Sequence, residues 1–169
     1  MVIQDPENIK KFLGFLIFYA YLCILMIKKT YIENRIASFN YFLLEKFTTG
    51  IVLFGPEVKS IRNGDVSIKE SYCYINNGEI WIKNMYIKPY EQSRIEFDSK
   101  RDRKLLLKKK EIRKIESLLI DKGKTLIPVS IEIGMLIKVN ISIAKGKKNY
   151  DKREAIKERD IKREINLAV

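Results

Sequence analysis

The side chains that could do chemistry in this sequence are cationic and aromatic, and histidine is absent. Lys and Arg number 33 against 21 Asp and Glu, a formal net charge of +12. Without histidine, the usual general base, the usual zinc ligand and any Ser/His or Cys/His pair are missing. Cys23 and Cys73 have no metal-binding spacing and fit a reduced cytoplasmic protein. We therefore expect no enzyme, metal or cofactor, but a polyanionic partner, either nucleic acid or an anionic membrane surface.

Two stretches concentrate the basic side chains. Residues 100–114 hold nine basic residues against Asp102 and Glu111. A solvated helix face is the ordinary explanation, but the imbalance favours a surface that contacts phosphates. Residues 145–164 hold nine basic and five acidic residues with few apolar ones. This composition predicts a tail that is disordered when free and becomes helical on a polyanion, or else a merely solubilising terminus.

Most elements that must position these side chains are predicted as strands. Residues 51–54 form an apolar run that ends at Gly55-Pro56, and a short helix over residues 57–62 follows. Asn77-Gly78 between alternating runs predicts a hairpin. A second hairpin is centred on Gly134.

The longest helical pattern covers residues 101–121, where apolar residues recur on one face. Together these patterns give five or six mostly antiparallel strands with one short and one long helix. The pattern alone indicates an α+β fold. The composition also fits a small closed barrel of the OB type, whose exposed face and loops commonly hold oligonucleotides.

The N-terminal segment is the ambiguous part of the chain. Residues 12–27 form an unbroken apolar run of 16 residues between lysine pairs, shorter than the roughly 20 residues that cross a bilayer. The run is an untranslated stretch upstream of a start at Met26, a membrane anchor, or an extra core helix. We therefore divide the chain into an N-terminal extension (1–29), a β-barrel domain (30–144) and a basic tail (145–169).

Several ordered blocks resemble the SsrA-binding protein (small protein B) family. They occur in the family's order and spacing over about residues 34–165. The blocks are GPEVKSIR with Ser71-Tyr72, NMYI with PYE, RDRKLLL, AKGKK and YDKR.

This resemblance implies an RNA-binding factor of trans-translation, mainly β with helices, built on an OB-like closed antiparallel β-barrel. The barrel would hold the tRNA-like part of transfer-messenger RNA. The tail would enter the empty mRNA channel beyond the decoding centre of a stalled ribosome and fold there. Elongation factor Tu would be an indirect partner through the RNA.

The resemblance and the basic pattern together suggest the site residues. The candidate RNA contacts are Asn34, Arg35, Lys59, Lys104, Leu106 and Lys145. The candidate ribosome contacts in the tail are Lys147, Lys148, Tyr150, Asp151, Lys152 and Arg153. Leu106 rests on the motif alone, and a core leucine is the alternative. Ile36, Phe39 and Thr48 depart from the family pattern.

Two rival functions stay open on the sequence. A membrane-anchored adaptor would insert residues 12–27 and turn its basic surface to anionic lipid. A generic single-strand RNA-binding barrel would use the same cations and aromatic residues without selecting transfer-messenger RNA.

Overall fold

The computed structural model describes residues 30–93, 97–148, 150, 151 and 153. The strands are β1 (Thr30–Glu33), β2 (Tyr41–Ile51), β3 (Val66–Ser67), β4 (Tyr72–Asn76), β5 (Glu79–Lys83), β6 (Tyr86–Ile87), β7 (Arg103–Leu106), β8 (Lys124–Ile133) and β9 (Ile137–Gly146). The helices are α1 (Arg35–Asn40), α2 (Gly55–Asn63) and α3 (Lys109–Leu119). The described chain is therefore mainly β with a few helices.

Seven of these strands form one antiparallel sheet in the order β1-β8-β4-β5-β7-β2-β9. Strand β8 also pairs with β9. The series of pairings that leaves β8 through β4 therefore returns to it through β9. Strands β3 and β6 form a separate two-stranded ribbon.

The core lies on the inner face of this sheet and is rich in isoleucine. Ile80, Ile82 and Leu105 alternate with outward-facing residues along β5 and β7, and they are at most 2% exposed. Helix α3 contributes Ile115, which is fully buried. Period-two alternation in the strands and a single apolar stripe on α3 put most of the buried apolar side chains in one cluster. A smaller cluster holds Ala37, Ile127 and Ala144.

Both predicted hairpins are present. Asn77 and Gly78 connect β4 to β5 with φ of 51° and 71°, the left-handed conformations that a tight Asn-Gly turn requires. Gly134 lies in the turn between β8 and β9. The short helix is also confirmed, as α2, and it ends at Gly64 with φ of 88°.

The single helix predicted over residues 101–121 is wrong in its first part. Residues 103–106 are strand β7, paired with β5 and β2, and the helix begins only at Lys109. Arg-Lys-Leu-Leu has good helix propensity, but pairing on both sides decides its conformation. Helix α1 was not predicted, because its six residues are too few for a visible period.

Parts of the predicted termini lie outside the described residues. Tyr150, Asp151 and Arg153 are helical, and the Asp151 carboxylate accepts a hydrogen bond of 3.0 Å from the Lys148 N–H. Lys152 and residues 154–169 lie outside the described part, as do residues 1–29. Within the described residues, no helix is long and apolar enough to span a bilayer.

Candidate nucleic-acid interface

A buried ion cluster fixes the strand that carries the candidate residues Lys104 and Leu106. The Glu57 carboxylate, fully buried in α2, accepts hydrogen bonds from Arg101 Nη2 at 2.6 Å and from Arg103 Nε at 2.9 Å. Arg103 also donates to the carbonyls of Met85 and Ser99, and it is fully buried. These bonds clamp the start of β7 to α2.

Charge and hydrogen bonding keep Glu57 ionised. Burial by itself would raise the pKa of Glu57, but hydrogen bonds from Arg101 and from the Phe54 N–H, with the charge of Arg103, lower the pKa below its usual value. Desolvation lowers the pKa of Arg103, against the attraction of Glu57. The Phe54 ring also stacks on Arg101, whose guanidinium carbon lies 4.1 Å from the ring centroid.

The outer side of the sheet opens into a cleft of about 810 Å³ across β7, β2 and β9. Gly50 forms its floor, and its register partners Leu106 and Lys138 stand on either side. A Cβ on Gly50 would lie only 3.3 Å from Leu106 Cβ, which is a tight contact. The absence of a side chain at Gly50 therefore leaves this part of the cleft open. Leu106 is 53% exposed, which excludes the core-leucine alternative.

Lys104 lies on the same outer face, one step along β7 from the cleft. It pairs in register with Trp81 of β5, which pairs with Tyr74 of β4. Its ammonium forms an ion pair with Glu79, and Tyr74 donates to Asp102 at 2.9 Å. That hydrogen bond raises the pKa of Tyr74. The row therefore combines two aromatic rings with a cation that is already paired.

The nine basic residues predicted as one phosphate-contacting surface have different roles. Arg101 and Arg103 belong to the buried cluster, and Lys104 and Lys114 pair with Glu79 and Glu45. The others are exposed and form no ion pair with any described residue: Lys100, Lys108, Lys109, Lys110 and Arg113. The cationic surface is therefore centred on the start of α3, beside the cleft, to which Lys108 contributes.

Asn34 holds α1 in place. It is 5% exposed, and its amide donates to the carbonyls of Ile68 and Pro128 at 2.9 and 3.2 Å. Its side-chain oxygen Oδ1 accepts a hydrogen bond from the Ala37 N–H at 3.2 Å, so Asn34 is the N-cap of α1. Arg35, the next residue, is exposed. This geometry suits Asn34 to presenting Arg35 rather than to touching a ligand.

The base of the tail rests on α1 and the start of β2. The Lys147 ammonium lies 5.0 Å from the centroid of the Phe42 ring and donates to the Ser38 carbonyl at 3.1 Å. Lys145 is exposed and pairs in register with Phe42. Lys59, on α2, lies elsewhere, with its ammonium 5.1 Å from the Tyr90 ring centroid.

Thr48, one of the departures from the family pattern, is tied into a short polar relay. It donates to the Asn140 side-chain oxygen at 2.7 Å, and the Asn140 amide donates to Ser130 Oγ at 3.0 Å. Thr48 also borders the cleft. A neutral hydroxyl therefore stands at this rim.

Comparisons with known proteins decide the family of this chain. A family model described as SmpB protein matches residues 31–169. The chain belongs to the SmpB family. The SsrA-binding protein of Parabacteroides distasonis is 49% identical over 140 residues, covering 81% of this chain and 92% of the relative. That of Clostridium botulinum (strain Hall) is 50% identical over 142 residues, covering 83% and 91%.

A solved structure matches this SmpB-family chain as well. It is described as "tmRNA-SmpB: a journey to the center of the bacterial ribosome". The matched chain is 40% identical, with a TM-score of 0.61, over 75% of this chain and 94% of the other. The family resemblance seen in the sequence is therefore confirmed.

The predicted RNA contacts of this SmpB-family chain do not form one cluster. Lys104 and Leu106 share the outer face of β7, whereas Arg35 and Lys145 lie at the α1 end. Sequence reasoning missed the Glu57 cluster, because it assigned Arg101 and Arg103 to a helix, whereas Arg103 begins β7 and Arg101 precedes it. Among the described residues, no group of His, Cys, Asp and Glu could hold a metal ion.

Proposed function

We propose that this SmpB-family chain binds transfer-messenger RNA and delivers it to stalled ribosomes for peptide tagging and ribosome rescue. The observation that supports this proposal is the family match over residues 31–169. The chain acts in trans-translation by binding this RNA. Its role places it with the ribosome, in the cytoplasm.

The outer face around the cleft is our candidate for the RNA-binding surface. It offers the exposed Leu106, Gly50 at the base of the cleft and the exposed cations at the start of α3. Structured RNA is usually gripped through its shape and backbone, for which apolar contact and scattered cations suffice. We further propose that the sheet is a closed OB-type barrel, since its pairings return to β8.

The second RNA-facing region in this proposal lies at the α1 end. Arg35 and Lys145 are exposed there, and Lys59 adds a cation on α2. These side chains contact phosphates of the same RNA, while Asn34 orients Arg35.

The tail is the ribosome-contacting part of the proposed mechanism. Its basic residues enter the mRNA channel beyond the decoding centre when no mRNA fills it, and the tail folds as a helix there. Tyr150, 68% exposed, stacks on a base, and Asp151, Lys152 and Arg153 admit the RNA to the A site. Elongation factor Tu joins through the RNA.

Substitution at the cleft tests the RNA-binding surface. Because Leu106 is half exposed, Leu106→Asn is expected to leave the melting temperature within a degree or two and to weaken binding of transfer-messenger RNA about tenfold. Filter binding at fixed salt measures the affinity, with a random RNA of equal length as competitor.

Ile120→Asn is the matched control, since Ile120 is an exposed apolar residue, at 80%, just beyond α3. It should leave the affinity unchanged. An equal loss of RNA affinity in both variants would show that the cleft is not part of the RNA-binding surface. Equal affinity of the unsubstituted chain for transfer-messenger RNA and random RNA would instead favour a generic RNA-binding protein.

A further inference from the structure

The turn between β8 and β9 presents two apolar side chains that are largely exposed in the described structure. Met135 is 74% exposed and Leu136 is 71% exposed. Both border the cleft, together with Val58 of α2 and Ile137 of β9. We call these four residues the turn patch. Adjacent exposed apolar side chains beside an open cleft are the usual mark of a surface that binds another apolar element.

The chain enters the fold beside the turn patch. Thr30 pairs with Ile133, the last residue of β8 before the turn. Strand β1 runs antiparallel to β8, so Thr30, its first residue, lies at the end of β8 that adjoins the turn. The apolar run of residues 12–27 ends three residues before Thr30. Three residues span at most about 11 Å, so the end of the run is confined to the neighbourhood of the turn.

We propose that residues 12–27 of this same chain dock on the turn patch. The short tether gives the run an effective concentration of about millimolar at the patch, so weak apolar contacts suffice to hold it. Docking removes apolar surface from water on both partners. With 16 apolar residues, the run falls short of the roughly 20 that cross a bilayer, which favours a protein surface over a membrane as its partner.

The docked run and the proposed RNA-binding residue Leu106 occupy opposite sides of the cleft. Strand β2 lies between β7, which carries Leu106, and β9, which follows the turn patch. The docking goes beyond the proposed function and does not depend on it, because it concerns only contacts within this chain. Its test therefore needs no RNA.

Thiol alkylation of the full chain tests the docking. The tested chain carries Cys23→Ser and Met135→Cys, and a second chain adds Leu16→Asp and Ile24→Asp to release the apolar run. Cys73 stays unreactive, because it is buried and burial raises the pKa of its thiol. We expect the thiol introduced at position 135 to react about tenfold more slowly in the first chain than in the second, as docking shields it.

Ile120→Cys is the matched control. It replaces Met135→Cys in two further chains, one with Cys23→Ser alone and one with Cys23→Ser, Leu16→Asp and Ile24→Asp. Ile120 is apolar and 80% exposed, and it precedes the start of β8, a strand about 30 Å long whose other end adjoins the turn. Its thiol should react equally fast in both backgrounds. Thermal unfolding of all four chains checks that the sheet is intact, and hydrogen exchange at Met135 and Leu136 in the unsubstituted chain gives a readout that needs no variant.

Several results would overturn the proposal. One is an equal alkylation rate at position 135 with and without the two aspartates, combined with fast exchange at the turn. Another is protection that grows with protein concentration, which would make a second copy the occupant. A third is flotation of the full chain with phosphatidylcholine vesicles accompanied by exposure of the position-135 thiol, which would make the run a membrane anchor. Slow, concentration-independent alkylation without flotation supports docking.

Discussion

At the scale of single residues, the chain separates cations that hold the fold from cations that face solvent. Arg103 is fully buried and Arg113 is exposed, although both belong to one basic stretch. The difference comes from Glu57, which offers a buried carboxylate to Arg101 and Arg103. A buried charge is tolerated only when it is paired and hydrogen-bonded, so these arginines are unavailable to phosphates.

Glu57→Gln should make the free energy of unfolding less dependent on pH in the acid range. The folded-state pKa of Glu57 is lowered from 4.5, so its charged form contributes stability above that pH, and the contribution is lost as pH falls through the folded pKa. The variant leaves Arg103 buried without its counter-charge and should lose about 3–5 kcal/mol at pH 7. Urea unfolding between pH 7 and pH 3 measures both effects.

Asp121→Asn is the control for Glu57→Gln. The hydrogen bond from Lys124 lowers the pKa of Asp121 too, but this carboxylate is exposed and screened by water. Its removal should leave the acid profile nearly unchanged. If the free energy of unfolding falls in parallel with pH for Glu57→Gln and the unsubstituted chain, Glu57 does not govern the loss of stability in acid.

At the scale of elements, short segments are held by side chains rather than by their own propensity. Helix α1 has six residues, too few to be stable alone, and Asn34 supplies its N-cap. The same amide ties the helix to the carbonyls of Ile68 and Pro128. Likewise, α2 and β7 are joined through Glu57. These ties position Arg35 and Leu106.

Asn34→Ala should destabilise the fold by about 2 kcal/mol, because it removes the N-cap of α1 and the buried hydrogen bonds from the Asn34 amide to the Ile68 and Pro128 carbonyls. Ser38→Ala is the control on the same helix, since the Ser38 side chain is exposed and donates a hydrogen bond to the Arg35 carbonyl, at 3.0 Å. Thermal unfolding and RNA affinity are measured for both. Weaker RNA binding by Asn34→Ala without any loss of stability would mean that Asn34 contacts the RNA directly, as the family resemblance implied.

At the scale of the whole molecule, positive charge is spread over several surfaces and continues into the tail. Exposed cations lie at the start of α3 and at α1, and residues 145–164 add nine more basic residues to the chain. A net charge of +12 attracts polyanions from a distance and releases counterions on binding. In our proposal, selectivity among RNAs comes from the cleft at Gly50 and Leu106.

Removing residues 151–169 should separate RNA binding from ribosome rescue. The sheet is left complete, so affinity for transfer-messenger RNA should change by less than about threefold, whereas tagging of peptides on stalled ribosomes should fall by about tenfold or more. A reconstituted tagging reaction measures the second quantity. Removal of residues 165–169 alone is the control. Full tagging activity in the chain that lacks residues 151–169 would show that the tail does not probe the mRNA channel.

The sequence by itself determined the family, the two hairpins, the short helix α2 and the excess of positive charge. These features depend on local turn chemistry, alternation and ordered motifs, all of which can be seen along the chain. The tertiary structure decided that residues 103–106 are a strand, that Arg101 and Arg103 bind Glu57, and that Leu106 is exposed. It did so because strand pairing and burial join residues more than 40 positions apart, and no local pattern specifies which partner a side chain will meet.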